Sequence, residues 1–239
     1  MKRFWDTASV VREAERFAIR LDGRPMRLPG GPVLSLASEA LAAAIAAEWQ
    51  AAGGMKGGTL RAEDVPLTRL AGTAQERVAP DPGATIDALA RYAETDLLCY
   101  RAERPDALVA LQARLWQPWL DRARSLYGAE FRVAHGVMPV LQSADTIMSM
   151  RAALAGMTPF TLAGLGILVP AMGSLVLGMA VAEGALGAEE ASSLAFLDEL
   201  FQAEFWGDDA QAAERRRLVA ADILDAARFI QLSQAGLAL

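Results

Sequence analysis

The residue types that carry covalent chemistry are scarce in this chain. It has one cysteine, Cys99, and one histidine, His135, which stand 36 positions apart. A cysteine or serine nucleophile needs a neighbouring base, most often an imidazole. Zinc sites draw on several Cys and His ligands. One cysteine also excludes an internal disulfide. Cys99 lies at the apolar end of a helical stretch and reads as a buried, inert thiol, and His135 as a structural residue of a linker. Ser174 follows Gly173, but the GxSxG elbow is missing. The Gly53–Gly58 stretch (GGMKGG) lacks the GxxxxGK[ST] spacing of a phosphate loop, and no apolar strand leads into it. GLGILVPAMG at 164–173 also fails the dinucleotide fingerprint.

Carboxylates are the remaining chemistry. Asp198, Glu199 and Glu204 share one helical stretch, and Asp208 and Asp209 follow it. A divalent cation takes several oxygens converging from different elements. Acids scattered along one helix read instead as a solvated face, and Glu94 and Asp96 are read the same way. The residues therefore assign no catalytic group, no metal and no cofactor.

The acids belong to a longer pattern. Gly173–Glu183 (GSLVLGMAVAE) is apolar all round, which marks a helix buried at the centre of a bundle. The next helix is expected over Glu189–Trp206. In it Leu194, Leu197, Phe201 and Phe205 form one stripe at i, i+3, i+7 and i+11. At about 100° per residue, Glu199, Gln202 and Trp206 share a flank beside that stripe. The stripe is expected to pack inward, leaving a mixed acidic, amide and indole flank. Tryptophan is a favoured interface anchor, so that flank is where a partner is expected.

The elements that position it follow from local signals. Phe4–Val11 and Phe17–Leu21 read as strands, the second with period-2 alternation. Asp22-Gly23 is a two-residue hairpin turn, Arg24–Leu28 the return strand, and Val33–Leu36 one more. Ser38 is the expected N-cap of a helix over Glu39–Ala52 with Leu41, Ile45 and Trp49 inward. Pro66 opens the next helix, and Pro80-Asp81-Pro82-Gly83 stops it.

Beyond Ala84 the chain reads as helical. A helix over Thr85–Cys99 turns Ile86, Leu89, Ala93 and Leu97 to one face, with Asp87 and Arg91 as an i,i+4 pair. The next opens at Pro105, has Leu108, Leu111, Leu115 and Trp119 inward, and kinks or restarts at Pro118. An extended stretch, Phe131–Val140, holds His135. Ser143 or Asp145 caps a helix through Leu154, and two apolar helices fill the span to Ala182. The last helix, Ala212–Gln231, faces Val219, Ile223, Ala226 and Ile230 inward. Its Arg215, Arg216 and Arg217 are expected against Asp208 and Asp209. The fold class is α+β: a small N-terminal domain of short antiparallel strands with helices over 1–82, then a larger all-helical domain over 83–239.

Composition narrows the partner. Of 239 residues 53% are hydrophobic, enough for a sizeable core. A net charge of −6 argues against nucleic acid, which demands a basic face. No charged residue occurs from Ala152 to Ala182, yet prolines and glycines cut that span into pieces shorter than the roughly 20 apolar residues a membrane crossing needs. No stable membrane insertion is expected. MKRFWDTASV lacks the apolar core of a signal peptide. A cytoplasmic protein is expected.

Several stretches, in order, resemble one family. They are KRFW at 2–5, LDGRPMRLP at 21–29, LAAAIAAEW at 41–49, DVPLTRLAGTA at 64–74, RYAETDLLCYRAE at 91–103, GSLVLGMAVAEG at 173–184 and LDELFQAEFWG at 197–207. Together they resemble the Atp12 chaperones, which assist assembly of the F1 part of ATP synthase. The resemblance implies two domains, no enzymatic activity, and one partner, the F1 α subunit, held until it joins β. It implies a bacterial, cytoplasmic member. It places the functional acids on Asp198 and Glu199, with Gln202, Trp206 and Gly207 completing the partner-binding pattern. Two other classes stand beside it: a small-molecule enzyme using carboxylates in an interdomain cleft, and a peripheral membrane protein using the 152–182 span.

Overall fold

The structure is a computed structural model; it describes residues 1–136, 138–207 and 209–236, with the backbone alone at Trp206. Two compact units emerge. The first comprises Met1–Asp81, Pro159–Gly164 and the chain from Arg228 onward; the second comprises Pro82–Thr158 and Leu165–Ala227.

The first unit is built on an antiparallel sheet. Strand β1 (Ala8–Glu13) pairs with β2 (Arg16–Leu21), and β2 pairs on its other side with β3 (Arg24–Pro25) and β4 (Ser35–Leu36). Asp22 and Gly23 both have positive φ, at 48° and 79°, the backbone a type I′ turn requires. The first strand, expected over Phe4–Val11, lies later. Its end is set by a turn at Ala14, which adopts φ 54° without being glycine, so the sequence carries no signal for it.

Helix α1 (Glu39–Ala51) starts at Ser38, whose hydroxyl accepts from the Leu41 N–H. Its Leu41, Ile45 and Trp49 are buried, and it packs on β1 and β2. Buried polar anchors hold its far end. Arg3 donates to the carbonyls of Gln50, Ala52 and Gly54, acceptors that a helix end leaves unpaired. Trp5 donates from Nε1 to the Trp49 carbonyl at 3.0 Å. Helix α2 (Pro66–Thr73) has Pro66 at its first position and no side-chain cap of its own. Glu48 supplies one, accepting from the N–H groups of Leu67 and Thr68 at 2.6 and 3.0 Å. Later segments complete this unit: Phe160 stacks on Phe229, and Ser38 donates to the Leu232 carbonyl at 2.6 Å.

The second unit is helical. Helix α3 (Pro82–Ala90) gives way to 3-10 turns at Arg91–Glu94 and Leu97–Cys99, so the helix expected over Thr85–Cys99 is broken. The break serves Asp96, which leaves helical geometry (ψ 132°) to accept from the Leu98 N–H. Strand β5 (Tyr100–Arg101) pairs in parallel with β6 (Ala134–His135).

Helix α4 (Asp106–Tyr127) runs unbroken through Pro118. Pro118 and Arg114, whose carbonyl loses its donor, are both exposed, so water can replace the missing bond. Its buried residues are Leu108, Gln112, Trp116, Leu120 and Ala123. The inward face is thus turned by one residue from the expected Leu111, Leu115 and Trp119, which are half-buried. Helix α5 (Ala144–Ala155) is capped by Ser143. Its Arg151 takes Asp87 at 2.7 Å in place of the expected Arg91 pair.

Helices α6 (Pro159–Met172) and α7 (Leu175–Ala182) occupy the uncharged span. No helix among the described residues is long and apolar enough to cross a membrane. Every residue of α7 is buried. Gly178 has no room for a side chain: a Cβ there would lie 2.7 Å from Val169 Cγ2 of α6. The helix expected over Glu189–Trp206 is two helices, α8 (Ala188–Ala195) and α9 (Leu197–Trp206), separated at Phe196. Helix α10 (Ala210–Gln234) closes the chain, with Ile223, Ala226 and Ile230 buried and Val219 half-buried.

Candidate functional site

The break at Phe196 sets the geometry around α9. The indole N–H of Trp116 donates to the Leu194 carbonyl at 3.0 Å, in the last turn of α8, where the chain leaves helical geometry. The guanidinium of Arg101 lies over the Trp116 ring, 5.3 Å from its centroid. Arg101 is buried and donates to the carbonyls of Leu98 and Gln112, both at 2.7 Å. Gln112 is fully buried; its side-chain oxygen accepts from the Ala102 N–H at 2.8 Å, and its amide donates to Asp198 at 2.7 Å. So Asp198, half-buried at the start of α9, joins a polar chain that runs through Gln112 to Arg101. Burial lowers the Arg101 pKa, and the nearby Asp198 charge works against that.

Glu199, one residue on, points to a different set of groups. Arg215 donates to both its oxygens at 2.6 and 2.8 Å, and Arg216 reaches it at 3.3 Å. Of the three arginines expected against Asp208 and Asp209, Arg215 and Arg216 reach Glu199. Arg217 pairs with Glu214, Asp209 accepts from the Ala212 N–H, and Asp208 lies outside the described residues. The side chain of Asp209 is used locally to start α10. Exposed pairs of the Glu199–Arg215 kind contribute about 0–1 kcal/mol, so this contact orients α9 more than it stabilises it.

The far half of α9 is open. Gln202, Phe201 and Phe205 line a groove of about 550 Å³ with Arg104, Pro105 and Leu108. Phe205, expected on the buried stripe, is 66% exposed. The stripe assumes one continuous helix, and the interruption at Phe196 resets the phase of the residues after it. Phe201 packs against Phe205 at 5.0 Å between centroids. Gly207 ends the helix with φ 83°. The indole of Trp206 lies outside the described residues. Asp198 and Glu199 are therefore tied into the chain, whereas Gln202 faces the groove.

The remaining chemistry-bearing residues are elsewhere. Cys99 is fully buried, and burial pushes its thiol up to about 12. His135 is exposed on β6. Among the described residues no group of three or more His, Cys, Asp or Glu could hold a metal. Asp96, read from the sequence as a solvated acid, is fully buried. It accepts from the Leu98 N–H, the Ser174 hydroxyl and the Val176 N–H at 3.0, 2.8 and 3.0 Å. Its 3-10 context and the Ser174 it meets lie 78 positions apart in the chain, so nothing local distinguishes it from its exposed neighbour Glu94.

The family model for the ATP12 chaperone protein matches residues 2–124. A crystal structure of Atp12 from Paracoccus denitrificans superposes with a TM-score of 0.90 at 42% identity, covering 97% of this chain and 98% of that one. The chain belongs to the Atp12 chaperone family. The family's members are assembly chaperones of the ATP synthase and not enzymes. The Atu1473 protein of Agrobacterium tumefaciens is similar at TM-score 0.86 and 38% identity, covering 96% of this chain and 84% of that one. Protein atp12, mitochondrial, of Schizosaccharomyces pombe is 25% identical over 89% of this chain and 76% of its own length. The stretches that resemble Atp12 chaperones include several of the residues whose polar contacts are described above: Arg3 and Trp5, Glu48 and Trp49, Asp96 and Arg101, Ser174, and Asp198.

Proposed function

We propose that this chain binds the unassembled F1 α subunit of ATP synthase in the bacterial cytoplasm and shields its subunit interface until β replaces it. An α subunit outside the ring exposes apolar surface that invites aggregation. A chaperone for it needs a surface of moderate affinity with few anchors, so that β can displace it. The observation that carries this reading is the exposed Phe205 beside the groove that Gln202 lines. In this reading Asp198 and Glu199 fix the pose of α9, while Gln202, Trp206 and Gly207 meet the client. The division into a 1–82 domain and an 83–239 domain is part of the proposal, with client contact assigned here to the second.

The test is co-purification with separately expressed F1 α subunit. Wild-type chain captures α without β, and Gln202→Ala combined with Phe205→Ser lowers capture at least tenfold with the melting temperature unchanged. Undiminished capture by that variant would overturn the site. No capture of α by the wild type would overturn the client.

A further inference from the structure

The first unit holds a groove that the α9 site leaves unused. It is about 730 Å³ and lies between the Met26–Pro29 segment and one face of α2 with its continuation, the π turn Ala74–Val78. Met26, Leu28, Trp49 and Val65 are buried residues that form its apolar wall. Its volume is in the range that receives several side chains, roughly 300–1,000 Å³ for ligand pockets.

Its charge runs against that of the whole chain. The chain carries −6, yet three arginines line this groove, Arg27, Arg69 and Arg77, against one carboxylate, Glu76. Glu76 is already taken, accepting from the Gly30 N–H at 2.8 Å. Arg27 donates to the Gly31 carbonyl at 2.7 Å. Arg69 and Arg77 are exposed, and their guanidinium groups pair with no carboxylate among the described residues. They stand eight residues apart in the chain and both line the groove, at most about 12 Å apart along the axis, since the π turn between them rises less per residue than the 1.5 Å of an α-helix. An extended strand covers about 3.3 Å per residue and turns alternate side chains to one face, so two carboxylates four positions apart would meet the same wall about 13 Å apart, within reach of two arginine side chains.

We infer that this groove receives an extended partner segment with apolar side chains between two acidic residues spaced four positions apart. The apolar wall takes the side chains; Arg69 and Arg77 take the flanking carboxylates as charge-assisted pairs. The inference does not depend on which client α9 engages.

Fluorescence anisotropy with two labelled peptides tests it: acetyl-GDLVLDG-amide, and its counterpart with lysine at both aspartate positions. The acidic peptide is expected to bind at least tenfold more tightly than the basic one. Arg69→Glu with Arg77→Glu should invert that preference, which a misfolded variant could not do. If that variant melts several degrees lower, Arg69→Gln with Arg77→Gln serves instead and should bring the two peptides within twofold of each other. Gln202→Ala with Phe205→Ser should leave the acidic peptide's affinity unchanged, which separates this groove from the α9 site. No binding, equal binding of both peptides, or a preference untouched by the arginine variants would overturn the inference.

Discussion

Helices α7 and α9 lie in the same unit, are nearly equal in length, and are held by opposite means. All eight residues of α7 are buried, and its start is fixed by a buried acid and a serine: Asp96 accepts from Val176, and Ser174 caps Leu177. Helix α9 has no side-chain cap, and it carries Asp198 and Glu199 in its first turn, where the helix dipole favours negative charge. Those acids are tied sideways, to Gln112 and to Arg215 and Arg216. Full burial leaves α7 nothing to offer a partner. Anchoring α9 only at its start leaves its second half free to present Phe205 and Gln202.

The contrast is broken most forcefully at Trp116, on which the entry to α9 depends. Trp116 is 1% exposed, supports the Leu194 carbonyl and lies under Arg101. Trp116→Ala should cost about 3–5 kcal/mol, from lost burial and the cavity left behind. Urea unfolding measures it. A loss under about 1 kcal/mol would mean that α9 is held by something other than this network.

The next largest effect belongs to α7 and is a pH dependence. Burial raises the Asp96 pKa from its ordinary 3.8 to about 6, against the hydrogen bonds it accepts. A carboxyl raised on folding favours the protonated folded state. Its contribution is therefore complete below about pH 4 and lost as pH rises through about 6. The shift of about two units corresponds to roughly 3 kcal/mol. Asp96→Asn does not titrate, so the difference in unfolding free energy between wild type and variant should shrink as pH rises over that window. A difference that stays flat would mean that the carboxylate is better solvated than its burial implies.

These two residues also mark how far local sequence reaches. The Asp22-Gly23 hairpin, the Ser38 cap, the inward stripe of α1 and the full burial of α7 are all legible, because each depends on neighbours within a turn or two. Asp96 is not, since its partners Ser174 and Val176 come from 78 and 80 positions away. Nor is the inward face of α4, which is turned so that a glutamine, Gln112, can reach Asp198 at a separation of 86 positions. Residue types at the candidate site are readable from the 197–207 stretch. Which of them face outward is not, because Phe196 breaks the helix where Trp116, 78 residues from Leu194, takes up a carbonyl. The common cause is a polar side chain that finds its partner only after the chain has folded back.

The smallest stability effect sharpens the comparison most. Leu177 on α7 is fully buried and Phe205 on α9 is 66% exposed. Phe205→Ser should change unfolding free energy by no more than about 0.5 kcal/mol, the usual range for an exposed position. Leu177→Ser should cost several kcal/mol, since it removes a buried side chain and places a hydroxyl among apolar groups. On the proposed reading Phe205 meets the client, so the same Phe205→Ser protein should show lower affinity for its client at unchanged stability. Should Phe205→Ser destabilise the fold as much as Leu177→Ser, the second half of α9 would be core after all, and the division between a buried helix and a presenting one would fail.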